Sequence, residues 1–92
     1  MGGEIELKNF LYRSVKYPAP SRMNGIQGKS IAEFVINIDG KITDVRVLRG
    51  LSFDIKNEVE RLLNAMPDWI PGENNGKKVK VTFTVPIDFR LE

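Results

Sequence analysis

The sequence contains no cysteine and no histidine. The absence of cysteine excludes disulfide bonds and thiolate metal sites, and the absence of histidine removes the usual general base and the commonest metal ligand. The 14 basic and 12 acidic residues leave a net charge of only +2, so charge alone does not argue for a nucleic-acid partner. No apolar run approaches the roughly 20 residues of a membrane-spanning helix. The hydrophobic content of 41% in 92 residues predicts one small globular domain.

The acidic and hydroxyl side chains form no catalytic pattern. Acidic residues are scattered over predicted strand faces, turns and a helix surface, and the serines have no histidine to activate them. The segment Gly25-Ile26-Gln27-Gly28 has no phosphate-loop spacing, and its glycines are more simply turn residues. We therefore expect neither enzymatic activity nor a bound cofactor or metal.

Strict alternation of apolar and polar residues predicts a long strand over residues 77–91. Pro86 lies within it, and because proline has no N–H to give a sheet, it is confined to edge strands, strand starts or bulges. Backbone groups also alternate in direction along a strand. If Pro86 faces a free edge, the other backbones that face it are those of Lys80, Thr82 and Thr84. The pattern predicts an open sheet edge, and the most useful role of such an edge is to accept a partner's strand.

Two segments carry apolar residues at helical spacing. The first spans residues 5–16 and ends near Tyr17, because Pro18 disfavours helical geometry in the residue before it. The second spans residues 54–66, with Ser52 or Asp54 as its N-cap.

Residues 30–38 and 41–49 alternate as strands around Asp39-Gly40, a two-residue hairpin signal. In the second strand, alternation places Ile42 on the face opposite Val45. The later segment Asn74-Asn75-Gly76 is expected to be a loop that feeds the final strand. The helix of residues 54–66 returns the chain along the sheet, so the last strand runs antiparallel to the first. We expect an α+β fold with a three-stranded antiparallel sheet of order 2-1-3 and two helices on one face.

Tyr17 and a basic cluster each have a structural and a functional interpretation. The structural interpretation of Tyr17, which we favour, is an anchor packed on the domain; the alternative is a contact surface for a ligand. The basic cluster consists of Lys77, Lys78 and Lys80. We favour a structural role, in which the charges protect an edge strand from unwanted pairing with other chains. Nucleic-acid binding would require an exposed aromatic pair, which the predicted sheet lacks.

Several short motifs together resemble those of a known family. They are Tyr17-Pro18, Gly25-Ile26-Gln27-Gly28, Asp39-Gly40, Met66-Pro67-Asp68-Trp69-Ile70-Pro71-Gly72 and Val85-Pro86-Ile87-Asp88-Phe89. With them, the chain resembles the C-terminal domain of TonB-family energy transducers, in the branch found in Bacteroidetes-like bacteria. The resemblance extends over nearly the whole chain.

The resemblance implies a periplasmic domain, excised from a longer protein that is anchored in the inner membrane. It would bind the TonB box, a short extended segment of outer-membrane transporters, by strand addition. It would transmit mechanical work, driven by the proton-motive force, from inner-membrane motor proteins for substrate uptake. The implied partner-binding residues are Lys80, Val81, Thr82, Phe83 and Thr84, together with Ser14, Lys16, Tyr17 and Pro18.

Two points stay open within the resemblance. The better-known branch has a glutamine that touches the TonB box three residues before the tyrosine, where this chain has Ser14. TonB-like domains also occur as peptide-binding modules of envelope sensors and regulatory peptidases, and the edge strand could instead pair with itself in a homodimer.

Overall fold

In a computed structural model that describes residues 2–91, the chain forms three helices and five strands. In chain order these are α1 (Glu4–Ser14), α2 (Ala19–Met23), β1 (Gly28–Ile36), β2 (Ile42–Arg49), α3 (Phe53–Asn64), β3 (Gly72–Asn74), β4 (Lys77–Val79) and β5 (Val81–Phe89). The strands β2, β1 and β5 form an antiparallel sheet in that order, and β3 pairs with β4 as a separate hairpin. The predicted fold class and strand order are confirmed.

Helices α1 and α3 share one hydrophobic core with a single face of the sheet. Alternate residues of β1 and β5 point into this core: Ala32, Phe34, Ile36, Val85, Ile87 and Phe89. The helices contribute Leu7, Leu11, Ile55, Val59, Leu62 and Leu63. Trp69 closes one end of the core, with its ring centroid 5.6 Å from those of Phe34 and Phe83. The opposite face of the sheet carries no helix among the described residues.

A bulge in β2 changes which of its residues face the core. Asp44 has a positive φ of 53°, and the pairing with β1 shifts register between Glu33 and Val35. Because a bulge inserts one extra residue, it reverses the side-chain alternation beyond it. Ile42 therefore packs against the core together with Val45. The prediction that these two residues lie on opposite faces was wrong.

The connection between β1 and β2 is longer than the predicted two-residue turn. Asn37 ends β1 by donating its backbone N–H to the Lys41 carbonyl, and Gly40 donates back to the Asn37 carbonyl, both at 2.9 Å. Gly40 has a φ of 86° and accepts a 2.7 Å hydrogen bond from the Trp69 backbone N–H. The turn therefore also fixes the segment that leads to β3.

The strand predicted over residues 77–91 is divided at Lys80 into β4 and β5. Ile36, the last residue of β1, lies opposite Val81, so the preceding residues of the ribbon lie beyond the end of β1. They pair instead with β3 through a tight turn at Asn75 and Gly76, whose φ angles are 55° and 78°. An Asn-Gly pair with positive φ at both residues is the favoured two-residue hairpin turn. The predicted loop at residues 74–76 is thus the turn of a hairpin.

Candidate functional site

The candidate site is the outer edge of β5. Along its inner edge β5 pairs with β1 in unbroken register, from Gly28 opposite Phe89 to Ile36 opposite Val81. Within residues 2–91 no other strand pairs with β5. An edge strand presents a row of backbone N–H and C=O groups that a further strand can pair with.

The position of Pro86 indicates which backbone groups face outward. Pro86 lies opposite Ile31 of β1, and because proline has no N–H, this pair cannot exchange the two hydrogen bonds of a bonded antiparallel pair. Bonded and non-bonded pairs alternate, so we infer that Thr82 and Thr84 also turn their backbone groups outward. Val81, Phe83 and Val85 then bond to β1. Lys80 lies between β4 and β5 and belongs to neither strand.

A groove separates the outer edge of β5 from α1. One part is a cavity of about 150 Å³ lined by Glu4, Leu7 and Lys8 of α1 and by residues 83–86 of β5. The next part is a wider cavity of about 410 Å³. It is lined by Lys8, Leu11 and Tyr12 of α1, by the C-cap Val15, by Lys29 and by residues 86–88. The two cavities share Lys8 and Pro86, so they lie next to each other along β5. We call this feature the α1–β5 groove.

The segment after α1 is held from within the domain by two charged residues of α3. Glu58 accepts a 2.6 Å hydrogen bond from the backbone N–H of Lys16, and Arg61 donates a 3.0 Å hydrogen bond to the Ser14 carbonyl. Glu58 and Arg61 also form an ion pair, with Nε 2.6 Å from Oε1. Helix α1 ends at Ser14, earlier than the predicted residue 16, and its C-cap Val15 is extended, with φ −67° and ψ 135°. The clamp formed by Glu58 and Arg61 pairs backbone groups on both sides of this residue. These backbone groups of Ser14 and Lys16 are therefore already paired.

The contacts within the clamp, which consists of Glu58 and Arg61, shift the pKa of both residues. Burial alone would raise the pKa of Glu58, but the hydrogen bonds from Arg61 and from the Lys16 backbone outweigh it and hold the pKa below its ordinary value. The hydrogen bond to Glu58 raises the pKa of Arg61. A carboxylate whose pKa is lowered on folding stabilises the fold above its unfolded pKa, and this stabilisation is lost as the pH falls through the folded pKa.

We expect the Glu58→Gln variant to be less stable than the wild type by about 1–3 kcal/mol at neutral pH, because hydrogen bonds to a charged acceptor are lost. The difference should shrink as the pH falls below the ordinary pKa of a glutamate and through the lowered pKa of Glu58 in the fold, because the wild-type carboxylate then becomes protonated as well. Urea denaturation at pH 7 and at about pH 3 measures this. Glu60→Gln is the matched control, since Glu60 makes only an exposed 3.9 Å pair with Lys56 and should cost less than about 0.5 kcal/mol. A Glu58→Gln deficit that stays constant with pH would contradict the clamp.

Tyr17 and Pro18 have structural roles. The Tyr17 hydroxyl donates a hydrogen bond to the Ile26 carbonyl, and its ring meets the Phe89 ring edge-on at a centroid distance of 5.5 Å. Pro18 is the N-cap of α2. Tyr17 thus anchors the segment before α2 to the end of β5, as the structural interpretation holds. Of the residues named as partner-binding, Val81–Thr84 lie on β5, whereas Ser14–Pro18 form a separate segment that packs against α3 and the end of β5.

A second polar cluster joins α2 to the start of α3. Ser52 is the N-cap of α3 and accepts a hydrogen bond from the Ile55 backbone N–H. Ser21, which is buried, lies 2.7 Å from the Ser52 hydroxyl and donates to the Asp54 carboxylate. The hydrogen bonds from Ser21 and Ser52 lower the pKa of Asp54. The cluster is a helix cap that also ties α2 in place.

The sequence analysis did not predict that α1 lies beside the outer edge of β5 and lines one side of the groove. Glu4, Lys8 and Tyr12 are exposed and recur every four residues, so they form one stripe of α1. The spacing of Leu7 and Leu11 predicts an amphipathic helix on which these three residues are exposed. It does not predict that they lie beside the unpaired edge of a strand.

The described residues thus form a small α+β domain whose antiparallel sheet ends in an edge strand with a single partner. The family described as Gram-negative bacterial TonB protein C-terminal matches residues 13–91, and the chain belongs to that family. No helix among residues 2–91 has the length and apolar character to cross a membrane.

Similar proteins and structures come from Helicobacter pylori. The chain is 38% identical to Protein TonB of strains J99 and 26695 over 42 residues, which are 46% of this chain and 15% of each relative. It therefore spans a small part of the length of these relatives. Two solution structures of fragments of the H. pylori TonB C-terminal domain have the same fold, each at 19% identity. The TM-scores are 0.72, covering 96% of this chain and 79% of the other, and 0.68, covering 92% and 89%.

Proposed function

We propose that this domain binds an extended segment of an outer-membrane transporter, the TonB box, as a fourth strand on the outer edge of β5. It would act in the periplasm as part of an inner-membrane-anchored energy transducer. There it would pass work driven by the proton-motive force to the transporter for substrate uptake. Membership in the TonB C-terminal family supports this role, and the observation that carries the docking mode is that β5 has only β1 as a strand partner within residues 2–91.

The short open edge of β5 limits the number of backbone hydrogen bonds that a docked strand can form, and therefore their contribution to the binding free energy. If Thr82 and Thr84 each offer an N–H and a C=O, four backbone hydrogen bonds form. At a net of about 0.5–1.5 kcal/mol each they contribute about 2–6 kcal/mol. Loss of translational and rotational freedom costs an estimated 4–15 kcal/mol. The backbone bonds therefore need support from side-chain contacts, and we expect weak and reversible binding, as a coupler that must release its partner requires.

Titration of the ¹⁵N-labelled domain with a synthetic TonB-box peptide tests the docking mode by NMR. We expect the largest amide shifts at residues 82–84, because their backbone groups form or adjoin the new hydrogen bonds. Amides at the start of α3 are the internal reference and should stay unchanged. Shifts confined to the helices, with residues 82–84 unaffected, would contradict strand addition.

Salt dependence separates this docking mode from electrostatic binding through the lysines near Lys80. Strand addition relies on backbone hydrogen bonds, so the dissociation constant should change little between 50 and 200 mM salt, whereas binding of a polyanion weakens steeply over about that range. A steep loss of peptide affinity with salt would favour contacts made by the lysine side chains.

A further inference from the structure

We propose that the α1–β5 groove contains a subsite for one aliphatic side chain of the docked strand, and that α1 thereby selects which extended segments bind. This proposal rests on the proposed function, since the strand must first pair with β5. The subsite is the cavity of about 150 Å³ between Leu7 and Lys8 on one side and residues 83–86 on the other.

The geometry of a β-sheet places a side chain of the docked strand there. A strand added to the outer edge of β5 continues the sheet, so alternate side chains fall on the face that carries the core. On β5 that face is marked by the buried Val85 and Ile87. Leu7 and Leu11 of α1 pack into the same core, so α1 lies over this face beside the open edge. Every second side chain of the docked strand therefore points toward the flank of α1.

The size and lining of the cavity define the class of side chain. A volume of about 150 Å³ is similar to that of a protein cavity that binds one benzene molecule. It matches the side chain of Val, Leu, Ile or Met, and the larger indole of Trp would extend beyond it. The lining combines Leu7, Phe83 and Val85 with the exposed Glu4 and Lys8 at its rim. The stem of Lys8 adds apolar surface while its ammonium group stays in water. The lining therefore favours an aliphatic group over a charged one.

The neighbouring part of the groove is less selective. At about 410 Å³ it is much larger than one aliphatic side chain, and it is bordered by Lys8, Tyr12 and Lys29 as well as by Asp88. A side chain two residues further along the docked strand would enter it. The family match begins at Arg13. All the α1 residues that line the two cavities therefore precede the matched part of the chain.

A host–guest peptide series tests the subsite directly. The probes are capped nine-residue peptides of sequence Lys-Thr-Thr-Thr-X-Thr-Thr-Thr-Lys, in which the central guest X is Ala, Val, Leu or Trp. We expect the Val and Leu peptides to bind about tenfold more tightly than the Ala peptide, because each buries additional methyl and methylene groups. The Trp peptide should bind no more tightly than the Ala peptide. Dissociation constants come from NMR titration of the labelled domain.

Two double variants of α1 provide the matched comparison. Glu4→Ala with Lys8→Ala removes the rim of the subsite, and Asn9→Ala with Arg13→Ala removes an equally spaced pair that lines a cavity on the other flank of α1. Both pairs are exposed, and alanine favours the helix. We expect the preference for Leu over Ala to fall below about threefold in the first variant and to remain about tenfold in the second.

Nuclear Overhauser contacts locate the guest side chain. The methyl groups of the Leu guest should contact the methyl groups of Leu7 and Val85. Contacts with the side chains of Thr82 and Thr84, which lie on the opposite face of β5, or equal affinity for all four peptides while the amides of Thr82 and Thr84 shift, would overturn the subsite and leave the proposed function intact. Absence of any shift at those amides with the TonB-box peptide would overturn both.

Discussion

Replacing Gly40 with alanine is expected to lower the free energy of unfolding by about 3 kcal/mol. Gly40 has a φ of 86°, a conformation that costs a residue with a Cβ roughly 1–2 kcal/mol. An added Cβ would also fall far inside van der Waals contact with the Trp69 carbonyl oxygen. That contact is with backbone, which must move to relieve it, and overpacking of this kind costs about 1–3 kcal/mol. Small domains have only about 5–15 kcal/mol of stability.

Gly25→Ala is the matched control for this prediction. Gly25 also has a positive φ, of 66°, but nothing lies within 4 Å of the position that its Cβ would take. Only the backbone cost applies, so we expect a loss of about 1 kcal/mol. Urea denaturation monitored by the fluorescence of Trp69, the single tryptophan, gives both values. Equal losses in the two variants would show that the contact between Gly40 and Trp69 contributes nothing.

Gly40 also illustrates what local sequence signals determine. The pair Asp39-Gly40 correctly predicts a reversal of the chain, because glycine tolerates positive φ. The hydrogen bond from Trp69 to Gly40 joins residues 29 positions apart, and no local pattern contains it. The turn is therefore predictable as a turn, and its role in holding the chain before β3 is known only from the folded structure.

The edge strand was predictable because its signals agree with one another. The alternation over residues 81–89 indicates a strand with one buried face, and Pro86 places that strand at an edge. The helix between the second and third predicted strands makes these two run parallel, so the preference for antiparallel pairing places the third strand beside the first. The resulting order 2-1-3 is confirmed by the structure. These inferences need only the period of the side chains and the missing N–H of proline.

The divided strand and the bulge were not predictable from alternation alone. Residues 77–79 alternate as well as residues 81–89 do, and the change of partner at Lys80 depends on where β1 ends. The Asn75-Gly76 turn was the available signal, since it favours a tight hairpin. The bulge at Asp44 has no comparable signature, and it becomes visible only through the register with β1.

The groove beside β5 was hidden for a different reason. The periodicity of α1 indicates which residues are buried, but a helix on the covered face could lie over any strand. Its position over β5 brings Lys8 next to Pro86, and that proximity is a product of tertiary packing. The residues that we propose to select the docked strand therefore come together only in the folded domain, and no local sequence pattern predicts their proximity.

Replacing Thr82 with proline is expected to weaken binding of the TonB-box peptide about tenfold while the domain stays folded. We infer that the Thr82 backbone N–H points outward, since Thr82 and Pro86 are four residues apart and have the same orientation in the strand. Proline at position 82 then removes a hydrogen bond to the docked strand, at a net of about 0.5–1.5 kcal/mol. Its ring also crowds the incoming backbone. The ladder with β1 loses nothing, because the inward bonds come from Val81, Phe83 and Val85.

Thr82→Ala is the control, because it removes the same exposed side chain and keeps the N–H. We expect its affinity to stay within about twofold of the wild type, since only solvent-facing atoms are lost. Urea denaturation of both variants checks that the fold is retained. If Thr82→Pro is folded and binds with unchanged affinity, the peptide docks elsewhere on the domain. If it unfolds instead, Thr84→Pro repeats the test, because Thr84 has the same orientation in the strand as Pro86.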